Sequence, residues 1–201
     1  GSYYFNGTID EVKIYPFALT PAEIKQEYNR GAAMVLGSER NSSSVWDDGG
    51  FGGAAPVAWW KMDEKTDNTC SGGVNDVCDV SGQGNDGASS GGPTWKSAGE
   101  CHQGSCLSFD GTDDYVECAD DNLPTGANAR TAEFWTKRRS SSGFIPYYPY
   151  PFFYGTKTPY QGFGMYGYQN TTDMWFYGHN YDFDTGINLD DTNWHHIVLS
   201  F

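Results

Sequence analysis

The chain has 201 residues, room for one or two domains. Aromatic residues make up 16% of it (7 Trp, 14 Tyr and 12 Phe), and 26 Gly and 9 Pro keep the hydrophobic runs short, which is the composition of a many-stranded sandwich and not of a helical protein. A net charge of −14 argues against nucleic acid or an anionic membrane as partner, because both are held by clustered Lys and Arg, and no stretch reaches the roughly 18 apolar residues of a membrane span.

Residues 5–15 read as a turn leading into a strand, with Ile9, Glu11, Lys13 and Tyr15 expected on one face and Asp10, Val12 and Ile14 on the other. A short helix follows, with Thr20 placed to cap it, Pro21 to open it and Glu23 to complete a capping box. Gly31 is a candidate left-handed stop. Residues 32–55 show no period and are rich in Ser, Asp and Gly, so a linker is expected there. Strands are expected again at 57–64, on both sides of the Asp110-Gly111 hinge within 106–117, and at 130–135. A strand pair is expected at 161–168 and 173–179, and a last strand at 194–201.

Five cysteines bear on the compartment. Cys70 and Cys78 flank a Gly-rich loop, Cys101 and Cys106 flank a tight one, and Cys118 is left over. None of these pairs has the spacing of a zinc site. Two small-loop disulfides, 70–78 and 101–106, are expected ahead of other pairings, and with them an oxidising, extracellular setting. Asn6, Asn41 and Asn170 open glycosylation sequons.

Several phrases, taken in order, resemble the LamG-like (concanavalin A-like) jelly-roll family. Trp59-Trp60-Lys61-Met62-Asp63-Glu64 is similar to its aromatic opening strand, Asp79-Val80-Ser81-Gly82-Gln83-Gly84-Asn85 to its next loop, and Phe109-Asp110-Gly111-Thr112-Asp113-Asp114-Tyr115 to its hinge. Arg130-Thr131-Ala132-Glu133-Phe134-Trp135 and Trp194-His195-His196 resemble later core strands, while residues 5–28 resemble the family's closing strand and helix, here standing at the front. The resemblance implies an all-β, concanavalin A-like jelly-roll sandwich of antiparallel sheets with one short helix near the N-terminus. It also implies a layout of 1–31 as the closing element of one LamG-like domain, 32–55 as linker, and 56–201 as a second jelly roll lacking its last strands. The expectation is a fragment of a tandem-repeat protein, since the sequence shows neither an initiator Met nor a signal peptide. The alternative is one circularly permuted domain in which residues 5–15 supply the final strand.

For chemistry, the carboxylate pairs Asp113/Asp114, Asp182/Asp184 and Asp190/Asp191 all lie in turn-like contexts, without the spacing of a glycosidase strand. No Gly-x-Ser-x-Gly elbow is present, so no catalytic residues are expected. His195 and His196 are neighbours in a strand and point to opposite faces, which prevents them from chelating one metal. Structural calcium is the one cofactor expected: Asp79 and Asn85 offer hard oxygen donors in a Gly-rich loop, and the resemblance adds Asp10 from the closing strand. The competing reading of Asp79 is a plain Asx-turn.

Trp175, Tyr177 and His179 fall on one strand face, Tyr166 and Tyr168 on one face of the preceding strand, and Tyr147, Tyr148, Tyr150, Phe152, Phe153 and Tyr154 crowd a Pro-punctuated loop. Rings in such positions either fill a core or stack on sugar faces. Tyr166, Tyr168, Trp175, Tyr177 and His179 are therefore the candidate ligand residues. The expected function is that of a non-catalytic extracellular carbohydrate-binding or adhesion module, lectin-like, within a multidomain surface or secreted protein. Its expected partners are a glycan or cell-surface polysaccharide and neighbouring repeats of the same polypeptide. A structural spacer without ligand, or a glycoside hydrolase of the same fold, is the alternative.

Overall fold

Strand β1 (Asn6–Tyr15) lies inside the larger sheet of the protein, hydrogen-bonded along both edges. The computed structural model describes residues 3–29, 55–71, 73, 75–139, 148–155, 161–169, 171–178 and 180–201. Gly31, all but the last residue of the expected linker, and the sequon residues Asn41 and Asn170 lie outside the described residues.

One edge of β1 pairs antiparallel with β7 (Thr131–Arg138) from Gly7 to Tyr15. The other edge is shared by two short strands, β5 (Cys106–Asp110) beside Asn6 to Ile9 and β2 (Ala58–Trp60) beside Val12 to Ile14. Strand β12 (His195–Ser200) extends the sheet beyond β7, and β4 (Thr94–Lys96) extends it beyond β5. A second sheet runs β11 (Phe183–Asn188), β10 (Asp173–Tyr177), β9 (Gly162–Gly167), β8 (Phe152–Gly155), and β3 (Gly87–Ser90) with β6 (Tyr115–Cys118) forms a separate ribbon. All strand pairs are antiparallel. With a single short helix, α1 (Pro21–Asn29), this is an all-β sandwich, as expected.

The alternation expected of β1 is corrected by one residue. Asp10 pairs with Trp135 but Lys13 with Glu133, so β1 carries one residue more than its partner between these points. Glu11 takes up the excess in a left-handed conformation, φ 53°. The bulge rotates the rest of the strand by one position, so that Ile9 faces the core together with Val12 and Ile14 instead of opposing them. Asp10, Lys13 and Tyr15 turn to the outer face, where the buried Glu133 carboxylate accepts from Lys13 (3.1 Å) and the Tyr15 hydroxyl (3.3 Å).

The core joins both sheets. Phe134 and Ile197 from the large sheet meet Phe163, Met165 and Met174 from the smaller one, with Trp60, Leu107 and Leu199 in the same cluster. The capping box forms as expected: the Glu23 carboxylate accepts from the Thr20 N–H (2.7 Å), and the Glu23 N–H donates to Thr20 Oγ1 (3.4 Å). The helix then lies on the outer face through Tyr28, which stacks on Trp135, and Glu27, which pairs with Lys13. Disulfides Cys70–Cys78 and Cys101–Cys106 both form, and Cys118 is free. Such bonds persist in oxidising surroundings. Among the described residues, no helix is long and apolar enough to cross a membrane.

Because β1 supplies ladders to three strands and side chains to both faces, deletion of residues 1–31 is expected to abolish the cooperative thermal transition of the chain. The milder change Ile14→Ala should cost about 2–5 kcal/mol, the range for emptying a fully buried aliphatic site. A thermal melt of the deletion variant and a denaturant melt of Ile14→Ala check them.

Candidate functional site

The smaller sheet sorts its aromatic residues by strand parity. Phe163 and Met165 of β9 and Met174 of β10 point into the core, whereas Tyr166, Trp175 and Tyr177 occupy the opposite face. Tyr166 is the register partner of Trp175, and the rings lie 6.4 Å apart. Tyr168, just past β9, stacks on Trp175 at 4.5 Å between centroids. The four described ligand candidates are thus brought onto one surface; His179 lies outside the described residues, as does Tyr147 of the aromatic loop.

The rest of that loop divides between the two faces. Phe152 and Tyr154 pack against the core, while Tyr148, Tyr150 and Phe153 join the outer rings. Tyr148 stands edge-on to Tyr168 at 5.5 Å, Tyr150 edge-on to Tyr177 at 5.2 Å, and Phe153 edge-on to Tyr177 at 5.0 Å, arrangements that suit the ring quadrupole. The bend at Pro151 shifts the phase between Tyr150 and Phe153, so simple alternation could not assign all three; the density of rings was the available signal. Gly162 makes the layer possible, since a Cβ there would come within 2.5 Å of the Tyr177 ring.

Exposure separates two tiers. Tyr166 and Tyr177, only 6% and 8% exposed, form a floor, while Tyr148, Tyr150, Phe153, Tyr168 and Trp175 are half-buried. Asp182, exposed, accepts the Gly178 N–H at 2.8 Å. Burial first, and then the negative charge of Asp182, pushes the Tyr166 and Tyr177 phenols above their ordinary range. Burial likewise raises Tyr150, with Tyr177 and Asp182 adding to it. These phenols therefore stay protonated at neutral pH and can donate hydrogen bonds. A half-buried aromatic layer edged by phenols and one carboxylate can hold a flat, hydroxylated ligand.

The calcium candidates fall into separate networks. Asp79 Oδ1 accepts the Trp59 and Ser81 N–H groups, and its Oδ2 accepts Ser81 Oγ and the Asn85 N–H, so four protein donors occupy it. That is an Asx-turn clamped to β2. Asp79 bridges Trp60 across the edge of β2, which puts two strand spacings, about 10 Å, between its backbone and β1. Asn85 is fully buried, donating Nδ2 to the Val57 carbonyl while its Oδ1 has no partner. Asp10 answers to a different loop: its Oδ2 accepts the N–H groups of His102 and Gln103 inside the Cys101–Cys106 ring, and its Oδ1 has no partner. As a set, Asp10, Asp79 and Asn85 do not fit one ion, which would need its oxygens about 2.3–2.6 Å away on every side.

Other acids are committed locally. Among the described residues, the only group of three His, Cys, Asp or Glu side chains with ligand atoms mutually within 4.8 Å is Asp110, Asp113 and Asp114, where Asp114 accepts the Asp110 N–H and Asp110 accepts the Thr112 N–H. Asp190 pairs with Arg138, and Asp191 with His195 at 2.7 Å. His196 lies on the opposite face against Glu133 at 3.4 Å, consistent with the opposed orientation expected of the two histidines. Burial opposes ionisation of Glu133, yet His196 and Lys13 hold its carboxyl below the ordinary range. Comparison of the chain with protein-family models, curated proteins and solved structures finds no match.

Burial pushes the Asp10 carboxyl up to about 8, against 3.8 when unfolded, with Glu11 and Asp63 adding repulsion and the Gln103 and His102 N–H groups opposing. The folded state then holds this proton more tightly than the unfolded state. Its contribution to stability is full below pH 3.8 and is lost as pH rises towards about 8. Asp10→Asn keeps an oxygen for the two N–H groups and removes the charge. It is expected to melt like the parent protein near pH 4 and to gain roughly 1–3 kcal/mol near pH 8, the scale of an uncompensated buried polar group. Melting temperatures across that pH range check it.

Proposed function

We propose that the outer face of the β8–β11 sheet binds carbohydrate, and that the protein is a non-catalytic extracellular adhesion or lectin-like module of LamG-like jelly-roll type. The observation that carries this reading is the stacked Tyr168–Trp175 pair, half-exposed beside Tyr148, Tyr150 and Phe153 on a floor of Tyr166 and Tyr177. Pyranose rings present C–H faces to such surfaces and hydroxyls to the phenols and carboxylate at the edge. A ring layer directed outward has lost part of its apolar gain, and a ligand that covers it restores that gain. The two disulfides support a secreted or cell-surface location. The engagement of Asp114, Asp190 and Asp191 in local bonds favours binding over hydrolysis.

A glycan array probed with the intact protein tests the reading. Retention of one or a few related glycans is expected, with Trp175→Ala weakening it by at least about tenfold, a loss of roughly 1.4 kcal/mol, at unchanged melting temperature. Retention of no glycan favours a spacer module, and cleavage of a retained glycan favours a hydrolase. Equal binding by the Trp175→Ala protein would move the site off this face.

A further inference from the structure

A cavity of about 1000 Å³ opens between the large sheet and the gap that separates β6 from β8. Its inner wall is Ile9, Val12 and Ile14 of β1, and its flanks are Val116 and Cys118 of β6 and Phe152 of β8. Among the described residues β6 pairs only with β3, and β8 only with β9, so each presents an unpaired edge to the same space. The direction of the β6 backbone follows from its neighbours. Gly87 exchanges both backbone hydrogen bonds with Val77 (2.7 and 3.0 Å), and the Ala119 N–H donates to the Asp86 carbonyl (3.2 Å). Alternation then turns the Glu117 backbone towards β3 and leaves the N–H and C=O groups of Val116 and Cys118 on the free edge.

The chain itself shows what suits this gap. At one end of it the Tyr150 N–H donates to the Tyr3 carbonyl (3.0 Å), while the Tyr4 ring stacks on Tyr115 of β6 at 6.3 Å. The backbone of Tyr3 and the ring of Tyr4 thus occupy that end of the gap. Beyond it the spacing offers main-chain donors and acceptors at the edges and an apolar floor, which a strand satisfies on both counts and an oily small molecule on only one. The rim adds sign: Glu117 and Asp120 are exposed on it, in a chain of net charge −14.

We propose that the cleft between β6 and β8 receives an extended strand from another protein, apolar at alternate positions and basic at the positions between. The apolar side chains of that strand descend onto Ile9, Val12 and Ile14, its backbone pairs with Val116 and Cys118, and its Lys or Arg residues meet Glu117 and Asp120. Docking joins the β3–β6 ribbon to the β8–β11 sheet.

The probe is a peptide of about ten residues alternating valine with lysine, the length of a long strand, titrated into the intact protein. Controls are a peptide of the same composition with valines and lysines in separate blocks, a valine–glutamate alternation, and myristate. The expected result is saturable binding of the valine–lysine peptide alone, with amide exchange at Val116 and Cys118 slowed at least about tenfold by new backbone hydrogen bonds. The surface double variant Glu117→Lys/Asp120→Lys should lose about tenfold in affinity for that peptide and gain affinity for the valine–glutamate one. Equal binding of the alternating and block peptides, occupation by myristate without amide protection, or no binding at all would each overturn the proposal.

Discussion

The extra residue at Glu11 is the constraint on which the rest of the sandwich depends. In a regular strand, Ile9 would share a face with Lys13 and Tyr15, and Asp10 would share one with Val12 and Ile14. Either choice would put a carboxylate in the core or expose the residues that join the sheets. The bulge resolves the conflict in one step, sending Ile9, Val12 and Ile14 inward and Asp10, Lys13 and Tyr15 outward. A left-handed non-Gly residue costs about 1–2 kcal/mol. That cost is offset by what the new geometry reaches: the Trp59 indole N–H donates to Glu11 Oε2 at 2.8 Å, and Lys13 sits 5.0 Å above the same ring.

The outer face of the large sheet is consequently a second, polar interior. Glu133 lies between Lys13 and His196, Lys13 also meets Glu27 of the helix, and Trp135 is sandwiched between Tyr28 and His102. Such a network contributes less to net stability than an apolar core of equal size, because its charges were desolvated first. Its stronger consequence is specificity of placement. A displaced helix α1 would leave the buried Lys13 without Glu27, and the Cys101–Cys106 loop is placed by the two N–H groups that Asp10 accepts and by the stack of His102 on Trp135.

Legibility in the sequence followed the reach of each interaction. Contacts between near neighbours were readable: the Thr20–Glu23 box, the two small-loop disulfides, the opposed His195 and His196, and the parity that put Tyr166, Trp175 and Tyr177 on one face. The β1 bulge left a weaker trace, since the apolar positions 9, 12 and 14 are spaced by three and then by two, and only two opens a regular strand face. The calcium set was not readable, because it turns on whether distant N–H groups have already filled a carboxylate. Asp79 is filled by donors from β2 and its own loop, while Asp10 turns its Oδ2 to donors some ninety residues away in the chain, in a network separate from that of Asp79. Residue type names the atoms that can bind; the fold decides which remain free.

Strand β8 connects the two surfaces. Phe153 stands in the outward ring layer, while Phe152 and Tyr154, its neighbours on either side, face inward. Four residues paired along one edge make a weak margin for a binding face. A strand seated along the other edge fixes the β8 backbone on both sides and so holds Phe153, and Tyr150 just before it, against Tyr177. On the proposed reading, ordering that margin in advance would reduce the entropy that a glycan has to remove on binding. If both proposals hold, the two occupancies are thermodynamically linked, and by reciprocity a bound glycan would strengthen strand docking by the same factor.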